Sequence, residues 1–321
     1  MAEETAPKKN MIGMADFLFS FCGEREPGNG EDSYAFALHE NGALVGIFDG
    51  CGGSGAARYA GVQNRTGAYL ASRAASAAWL HWFEGLEPEG EISVDDLKLQ
   101  LLRNLRLCEK QGGESSGGLP GSRAKRLPTT AAAAVCRPCR GGLEVQLQWA
   151  GDSRVYWLDE DGLAQLTEDD LGGVDAMQEL AEDRPLANAI TLSRAFQIHS
   201  ARRKFTRPGL LFAASDGCFG YLSTPMEFEY LLLQSLRESA CAAEWERRMM
   251  EAVARVSGDD YTLCGISLGY GSFEELKSRL QRRTKLMERV YINGLDACTA
   301  EEKQQLWERY RENYYRLLCR P

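Results

Sequence analysis

Two apolar segments joined by Asn41-Gly42 constrain the fold of this chain more than any other feature. Residues 33–48 read SYAFALHENGALVGIF, and Asn-Gly between two such segments is the strongest short-range signal of a β-hairpin. Similar pairs of strand-like segments occur at 129–149 and at 154–167, each around its own turn. Strands joined by tight turns pair in antiparallel fashion, so the sequence predicts an antiparallel sheet rather than alternating βαβ units.

Long helical segments separate these hairpins. An alanine-rich stretch follows the first hairpin, with Ser54 as its candidate N-cap, and its small side chains would let a helix lie close on a sheet. Apolar residues recur at helical spacing in 93–110 and in 224–256. The stretch 111–128 is rich in glycine and serine and is predicted to be a loop, and 168–200 is predicted to cross the surface irregularly. The fold class is therefore α+β.

Composition excludes several classes of protein. A chain of 321 residues with 44% apolar residues can bury a substantial core, yet no apolar run approaches the roughly 20 residues that span a bilayer. The first ten residues, MAEETAPKKN, lack the apolar segment of a secretory signal. Ten cysteines without such a signal are expected to be thiols, which favours a cytoplasmic protein without a membrane partner. A net charge of −9 argues against nucleic acid as a partner.

Aspartates stand directly after several of the strand-like segments. Asp161 is the ordinary case, because it lies in a turn between two strands, as an exposed hairpin requires. Asp49 differs, since the residues after Gly50 run through further glycines into the alanine-rich stretch. Asp152 and Asp216 also follow strand-like segments without a returning strand. Further acidic residues precede the first and the last of the predicted strands, namely Glu31, Asp32, Asp259 and Asp260.

Carboxylates gathered at one edge of a sheet would repel one another. Each would raise the pKa of its neighbours unless cations compensated the charge. Mg²⁺ and Mn²⁺ prefer oxygen ligands, and a bridging carboxylate can hold two such ions. The three histidines, His39, His81 and His199, lie away from these aspartates in sequence, so a zinc site or a serine-histidine triad has little support.

Six short motifs occur in a fixed order along the chain. They are Glu31-Asp32-Ser33, GIFDGCGG at 46–53, Thr129-Thr130, GDSRVYWL at 151–158, SDG at 215–217 and Asp-x-x-Thr at 259–262. Their order and spacing resemble those of metal-dependent protein phosphatases of type 2C, the PPM family, over roughly residues 12–270, and the pattern is like that of a bacterial member. Each motif alone is weak, but six in order are fairly specific.

The resemblance implies a fold and an activity. The fold would be a four-layer αββα sandwich, with two antiparallel sheets face to face and helices outside. The activity would be the hydrolysis of phosphoserine and phosphothreonine in proteins by a water that bridges two Mn²⁺ or Mg²⁺ ions, without a phosphoenzyme. The partner would be a phosphoprotein made by a serine/threonine kinase.

The resemblance also assigns roles to individual residues. Asp49 would bridge two metals and Gly50 would offer its carbonyl oxygen. The other ligands would be Asp216 and Asp259 for the first metal, Glu31 and Asp32 for the second, and Asp152 for a third metal that some bacterial members bind. The stretch 171–187 would correspond to the flap, a variable loop that affects substrate choice.

The chain departs from the family pattern at several positions. Arg25 is the candidate clamp for the substrate phosphate, but it lies farther before Asp32 than usual, and a solvated arginine on a widened loop is the alternative. Cys51 stands where many eukaryotic members have a histidine proposed as general acid, so proton delivery is unassigned and water could serve. Asp260 replaces an asparagine. None of these changes removes a predicted metal ligand.

Cysteines near the motifs suggest a second hypothesis. A thiolate of Cys51 or Cys218 near cations would be favoured and oxidisable, but small buryable side chains beside strand ends are the stronger interpretation. Cys136 and Cys139 form a single pair across a turn, whereas a zinc site would require a second pair.

Three segments are predicted for the chain as a whole. Residues 1–11 would be a flexible amino terminus, 12–270 a phosphatase domain and 271–321 a helical extension that packs on the sandwich or on itself, or else binds a partner or a second copy. Two alternatives to a protein phosphatase remain. One is a pseudophosphatase that binds phosphoproteins without turnover, and the other is an enzyme for small phosphoesters.

Overall fold

The computed structural model describes residues 15–40, 42–87, 93–117, 126–173, 175–181, 185–193 and 195–320. The predicted amino-terminal segment 1–11 and Asn41 of the first hairpin lie outside this part of the chain, as do 118–125 of the predicted loop and 182–184 of the predicted flap.

Two five-stranded antiparallel sheets form the centre of the molecule. The first has the strand order β1 (Phe17–Gly23), β13 (Tyr261–Leu268), β12 (Gly209–Ala214), β9 (Arg154–Asp159) and β10 (Gly162–Gln165). The second has the order β11 (His199–Phe205), β8 (Gly142–Ala150), β7 (Ala131–Cys139), β3 (Gly42–Phe48) and β2 (Ser33–His39). The three predicted hairpins are the pairs β2 with β3, β7 with β8, and β9 with β10.

Helices cover the outer face of each sheet. Those on the second sheet are α1 (Gly67–Glu84) and α2 (Val94–Gly112). Those on the first are α4 (Pro225–Glu238), α5 (Ala242–Ala254), α6 (Phe273–Met287) and α7 (Ala300–Tyr314), and a single-turn helix, α3 (Ala176–Glu179), lies in the irregular region before β11. A core of buried side chains from both sheets, including Val45, Leu147 and Ile266, separates the two sheets. The predicted α+β fold class and the αββα order of layers are confirmed.

The start of the first long helix was predicted wrongly. Helix α1 begins at Gly67 with Thr66 as its N-cap, whose hydroxyl accepts a bond from the Tyr69 N–H at 3.1 Å, and not at Ser54. The intervening residues form two short strands, β4 (Arg58–Tyr59) and β5 (Arg65–Thr66), which make a small sheet with β6 (Ser115–Ser116). Alanine-rich composition favours helix locally, but strand pairing with a distant segment prevails here.

Two strands of the sandwich were missed. Strand β1 pairs with β13, and β11 pairs with β8, beginning at the end of the region 168–200 that was predicted to be irregular. Strand β11 lies at a sheet edge and its sequence, HSARRKF, is mostly polar, which explains why an apolar pattern does not reveal it.

The carboxyl-terminal helices pack on the sandwich. Helix α6 lies against α4, and α7 lies against β10 and α4. The side chains of Trp307, Tyr310 and Tyr314 from α7 are fully buried in the same cluster as Phe212 of β12. Among the described residues, no helix is both long and apolar enough to cross a bilayer.

Candidate metal centre

The acidic residues predicted from sequence converge at one end of the sandwich. The chain leaves β3, β8 and β12 at this end and enters β2, β9 and β13 there, because all these strands are antiparallel. A cavity of about 410 Å³ opens between the strand ends. Its lining includes seven of the eight residues to which the sequence assigned a role at the site, namely Arg25, Glu31, Asp49, Gly50, Asp152, Asp216 and Asp259.

Asp49 is held in place through its backbone. Its carbonyl oxygen accepts bonds from the Thr129 hydroxyl at 2.7 Å and from the Thr130 N–H at 2.8 Å, which ties the end of β3 to the start of β7. The next residue must be glycine, because a Cβ at Gly50 would lie 2.7 Å from the carbonyl oxygen of Ala68 and 2.8 Å from that of Glu31. The two threonines therefore orient the Asp49 carboxyl toward the cavity without occupying its oxygens.

Three half-buried aspartates, Asp49, Asp152 and Asp216, line the floor of the cavity together. Burial raises the pKa of Asp216, and its interaction with Asp49 partly offsets the increase. Burial raises the pKa of Asp49 well above its usual value, and the charges of Asp32 and Asp216 raise it further. Burial likewise raises the pKa of Asp152 well above the ordinary range, and Asp216 adds to the shift. Among the described residues, no lysine or arginine forms a salt bridge with Asp49, Asp152 or Asp216.

Asp32 lies behind this floor and does not line the cavity. Its carboxylate accepts a bond from the Ser215 hydroxyl at 2.8 Å, and Ser215 in turn accepts the Thr262 N–H at 2.9 Å. Burial is the main cause that raises the pKa of Asp32 to about 7, and the charge of Asp216 adds to the increase. The predicted Glu-Asp pair is thus divided, since Glu31 reaches the cavity and Asp32 joins the ends of β2, β12 and β13 beneath it.

Glu31 stands at the wall of the cavity. Its carboxylate accepts a bond from the Thr66 hydroxyl, and a Cβ at Gly52 would meet this same carboxylate at 2.1 Å. Burial raises the pKa of Glu31, and the charges of Asp260 and Asp259 contribute. A side chain at Gly52, which the sequence did not single out, would therefore displace the Glu31 carboxylate from its present position.

Asp259 and Asp260 take different roles. Asp259 is exposed at the rim of the cavity, where its carboxylate accepts the N–H of Asp260 at 2.8 Å. The carboxylate of Asp260 accepts the backbone N–H groups of Arg25 at 2.8 Å and Glu31 at 2.6 Å. Asp260 thus fixes the loop before β2, which is a structural reason for an acidic side chain at this position.

The donor set fits a hard divalent cation chemically, although its present geometry is not that of a formed site. Every acidic group at the cavity is a carboxylate, and oxygen ligands suit Mg²⁺ and Mn²⁺. In the described part of the chain, however, no three or more histidine, cysteine, aspartate or glutamate side chains are grouped so that they could hold an ion. Binding a cation therefore requires the candidate side chains to rearrange.

Arginines line the mouth of the cavity. Arg25 is exposed there, and two further arginines that sequence reasoning missed, Arg58 and Arg65, come from the small sheet of β4 and β5. The Arg65 guanidinium donates to the carbonyl of Gly28, and that of Arg58 donates to the carbonyl of Asn64 at 3.0 Å. No local motif marks these residues, because only the pairing of short strands brings them to the cavity.

The two cysteines near the motifs differ in their surroundings. Cys218 is 1% exposed, its thiol donates to the Thr262 carbonyl at 3.3 Å, and burial raises its pKa well above the ordinary value. Cys51 lines the cavity, half-buried. The surroundings of Cys218 favour a small buried side chain over a reactive thiolate. All ten cysteines of the chain are thiols.

Comparisons with known proteins identify the fold. No protein-family model matches the chain, and no curated protein is similar to it in sequence. A crystal structure of the Mycobacterium tuberculosis serine/threonine phosphatase PstP/Ppp is similar, with a TM-score of 0.53 and 18% identity over 78% of this chain and 98% of that one. The catalytic domain of PstP in complex with two manganese ions gives a TM-score of 0.52 and 16% identity, over 78% of this chain and 97% of that one.

A third similar structure comes from another bacterium. The serine/threonine phosphatase Stp1 from Staphylococcus aureus gives a TM-score of 0.54 and 14% identity over 79% of this chain and 94% of that chain. At such low identity the similarity shows the fold, which this chain shares with bacterial serine/threonine phosphatases.

Proposed function

We propose that this chain is a metal-dependent protein serine/threonine phosphatase of type 2C. The observation that carries the proposal is the set of half-buried carboxylates, Asp49, Asp152 and Asp216, which form no salt bridge among the described residues and meet at the open end of the sandwich. A fold that buries several acids together without counter-charge is stabilised by a cation from solution. The shared fold of the serine/threonine phosphatases supports the same conclusion.

The proposed ligands for two Mn²⁺ or Mg²⁺ ions are the predicted ones. Asp49 would be a ligand of both ions, and Gly50 would offer its carbonyl oxygen. Asp216 and Asp259 would hold the first ion, Glu31 would hold the second, and Asp152 would serve a third. Such ions, when bound, lower the pKa of a water so that it can attack phosphorus, and they neutralise charge on the phosphoryl group. Asp32 would act on the second ion through water, because it lies behind the cavity floor.

The protein's own groups would orient the substrate. Arg25 at the rim is proposed to bind the phosphate oxygens, since a guanidinium offers a planar pair of donors to them. Its backbone position is fixed by Asp260, which leaves the side chain able to reach the cavity from the widened loop. Cys51 lines the cavity at the position where many eukaryotic members have a histidine proposed as general acid. We therefore assign the proton for the leaving group to water.

The form of the cavity agrees with a protein substrate. It is open to solvent and bordered by exposed arginines and acidic groups, so a phosphorylated side chain could enter while its own chain remained outside. The proposed substrate, and the proposed partner of this chain, is therefore a phosphoprotein made by a serine/threonine kinase.

The experiment is hydrolysis of p-nitrophenyl phosphate and of a phosphothreonine peptide with Mn²⁺ and with a chelator. We expect Mn²⁺-dependent turnover in the wild type and a loss on the order of 1,000-fold in Asp49→Asn, since a catalytic metal supplies several kcal/mol. Asp161→Asn is the matched control, because Asp161 is an exposed aspartate in a hairpin turn.

The same assay tests the alternative of a pseudophosphatase. A wild type that binds the phosphopeptide but hydrolyses neither substrate at any Mn²⁺ concentration would replace the enzyme with a binding module. Equal turnover in Asp49→Asn and wild type would instead remove this cavity as the active site.

A further inference from the structure

The region between β10 and β11 connects the cavity to the carboxyl-terminal helices. We call residues 168–190 the flap loop. Its two ends are joined to each other and to the site, since the carboxylate of Asp170 accepts the Gly151 N–H at 2.9 Å and the carbonyl of Asp170 accepts the Ala187 N–H at 2.9 Å. Leu186 of this loop lines the cavity. Any displacement of the flap loop therefore changes the entrance to the acidic cleft.

Helix α7 and the residue after it hold the middle of the flap loop. The carboxylate of Asp175 accepts the indole N–H of Trp307 at 3.2 Å, and the N–H of Ala176 donates to the hydroxyl of Tyr315 at 2.7 Å. Ala176 is 1% exposed, and Met177 packs against the same apolar cluster as the aromatic side chains of α7. The short helix α3 is thus docked on the carboxyl-terminal extension by two hydrogen bonds and by apolar contact.

Arg154 links this docking to the site by a separate route. It lies two residues after Asp152 and is 3% exposed. Its guanidinium binds Asp169 at 2.7 Å and also Glu179, so it joins the start of the flap loop to α3. It also donates to the Tyr314 hydroxyl of α7 at 3.4 Å. A single buried cation therefore connects the strand after Asp152, the flap loop and α7.

We propose that α7 and Tyr315 are positioning elements for the flap loop, and that they thereby select which phosphorylated segments enter the cleft. The substrate part of this inference rests on the proposed function. A small phosphoester needs only the acidic floor, whereas the residues that flank a phosphorylated side chain must pass Leu186. Release of α3 from α7 should therefore alter the hydrolysis of peptides more than that of small esters.

The test uses the full chain with substitutions that remove the hydrogen bonds between the carboxyl-terminal extension and the flap loop. Tyr315→Phe removes only the hydroxyl that accepts the Ala176 N–H, and the double variant Trp307→Phe, Tyr315→Phe removes both hydrogen bonds to the flap loop. Tyr291→Phe is the matched control, because Tyr291 is a half-buried tyrosine of the same extension whose ring lies against Tyr310. Hydrogen exchange of the segment 175–181 reports the docking, and kcat/KM for a phosphothreonine peptide and for p-nitrophenyl phosphate reports its effect.

We expect exchange in 175–181 to rise about 2- to 10-fold for each hydrogen bond removed, the change that corresponds to the net worth of one such bond. The ratio of peptide to p-nitrophenyl phosphate kcat/KM should change at least about 3-fold in the same variants, and neither quantity should change in Tyr291→Phe. A rise in exchange within α1 as well as in 175–181 would mark general destabilisation and would overturn the inference.

Two other outcomes would also overturn it. Unchanged exchange in 175–181 would show that α7 does not hold the flap loop. Faster exchange with an unchanged ratio of the two substrates would show that the docking has no bearing on substrate entry. A wild type inactive toward both substrates would remove the proposed function and the substrate part of the inference, while hydrogen exchange would still decide the docking.

Discussion

The molecule buries acidic side chains in two different ways. In the carboxyl-terminal layer, Glu229 is fully buried and receives two bonds from the Arg283 guanidinium, at 2.6 and 2.9 Å, and one from the Tyr310 hydroxyl at 2.5 Å. In the cavity, Asp49 and Asp216 are half-buried, and the largest charged influences on Asp49 are other acids, Asp32 and Asp216.

The contrast separates structural from functional burial. A buried carboxylate that keeps its charge for stability is paired and hydrogen-bonded by the protein itself, as Glu229 is. A cluster of acids without such partners is costly to fold, and the cost is removed only by protonation or by a cation from solution. The cavity has the second pattern at the place where the fold brings six strand ends together.

The largest expected effect is on activity at the cavity. Asp216→Asn should lower Mn²⁺-dependent turnover of p-nitrophenyl phosphate on the order of 1,000-fold, because a metal ligand is lost. The same change should leave the metal-free protein as stable as the wild type or more so, since it removes one of several mutually repelling charges. Kinetics and thermal unfolding in a chelator measure the two quantities. If this substitution lowered the Tm of the metal-free protein, the acids of the cavity would not be destabilising in the way that distinguishes them from the paired Glu229.

The second effect is on stability in the carboxyl-terminal layer. Glu229→Gln leaves the buried Arg283 without its counter-charge and should lower the free energy of unfolding by about 3 kcal/mol. Turnover per folded molecule should change little, because Glu229 lies outside the cavity. Denaturant unfolding measures the loss, and the double variant Glu229→Gln, Arg283→Met should recover part of it. A stability equal to that of the wild type would show that this ion pair makes no net contribution.

A smaller effect concerns the cations at the rim. Arg25→Ala should raise KM for p-nitrophenyl phosphate about 10-fold with a smaller change in kcat, the loss expected for one charge-assisted bond at an exposed site. Arg25→Lys should recover only part of this, because an ammonium group lacks the paired donors. Arg58→Ala is the matched comparison, because Arg58 of the small sheet also lines the cavity. A larger effect from Arg58→Ala would assign the phosphate to Arg58 instead.

The smallest effect is the pH dependence of the metal-free protein. The pKa of Asp32 is raised from 3.8 to about 7, so the unfolded chain loses its proton as the pH rises above about 4 while the folded protein keeps it. The contribution of Asp32 to the free energy of unfolding is therefore fully present below about pH 4 and is lost as the pH rises through 7. The loss is about 1 kcal/mol between pH 6 and 7. Unfolding in a chelator at pH 6, 7 and 8 measures the slope, and Asp32→Asn should flatten it. Stability that rises with pH in the chelated wild type would be evidence against this account, whereas added Mn²⁺ should stabilise more at higher pH.

The hairpins and the positions of the acids could be read from sequence because they depend on local chemistry. Turn residues such as Asn41-Gly42 and Gly141-Gly142 between apolar segments specify strand pairs, and these pairs are found. The resemblance to type 2C phosphatases, which the order of the motifs carries, implied that Asp49, Asp152 and Asp216 belong to one site, and all three line the cavity. The metal-binding roles of these residues stay a prediction.

Other features depend on contacts between residues far apart in the chain. The start of α1 at Gly67 is set by the small sheet, which also brings Arg58 and Arg65 to the cavity. The bonds from Asp260 to the loop before β2, and the separation of Asp32 from Glu31, have no signature in the local sequence.

The sequence by itself determined that this is an antiparallel α+β protein with acids at its strand ends, because turn chemistry and side-chain periodicity act over a few residues. The sandwich of two sheets was implied only by the resemblance to a family. Only the tertiary structure decided which acids remain uncompensated. That outcome depends on where the cationic partners lie in the folded chain. Arg283 reaches Glu229 only when two helices pack together, and Arg154 reaches Asp169 only when a loop packs on the sheet. The docking of the flap loop on α7 was decided in the same way, by bonds between residues more than a hundred positions apart.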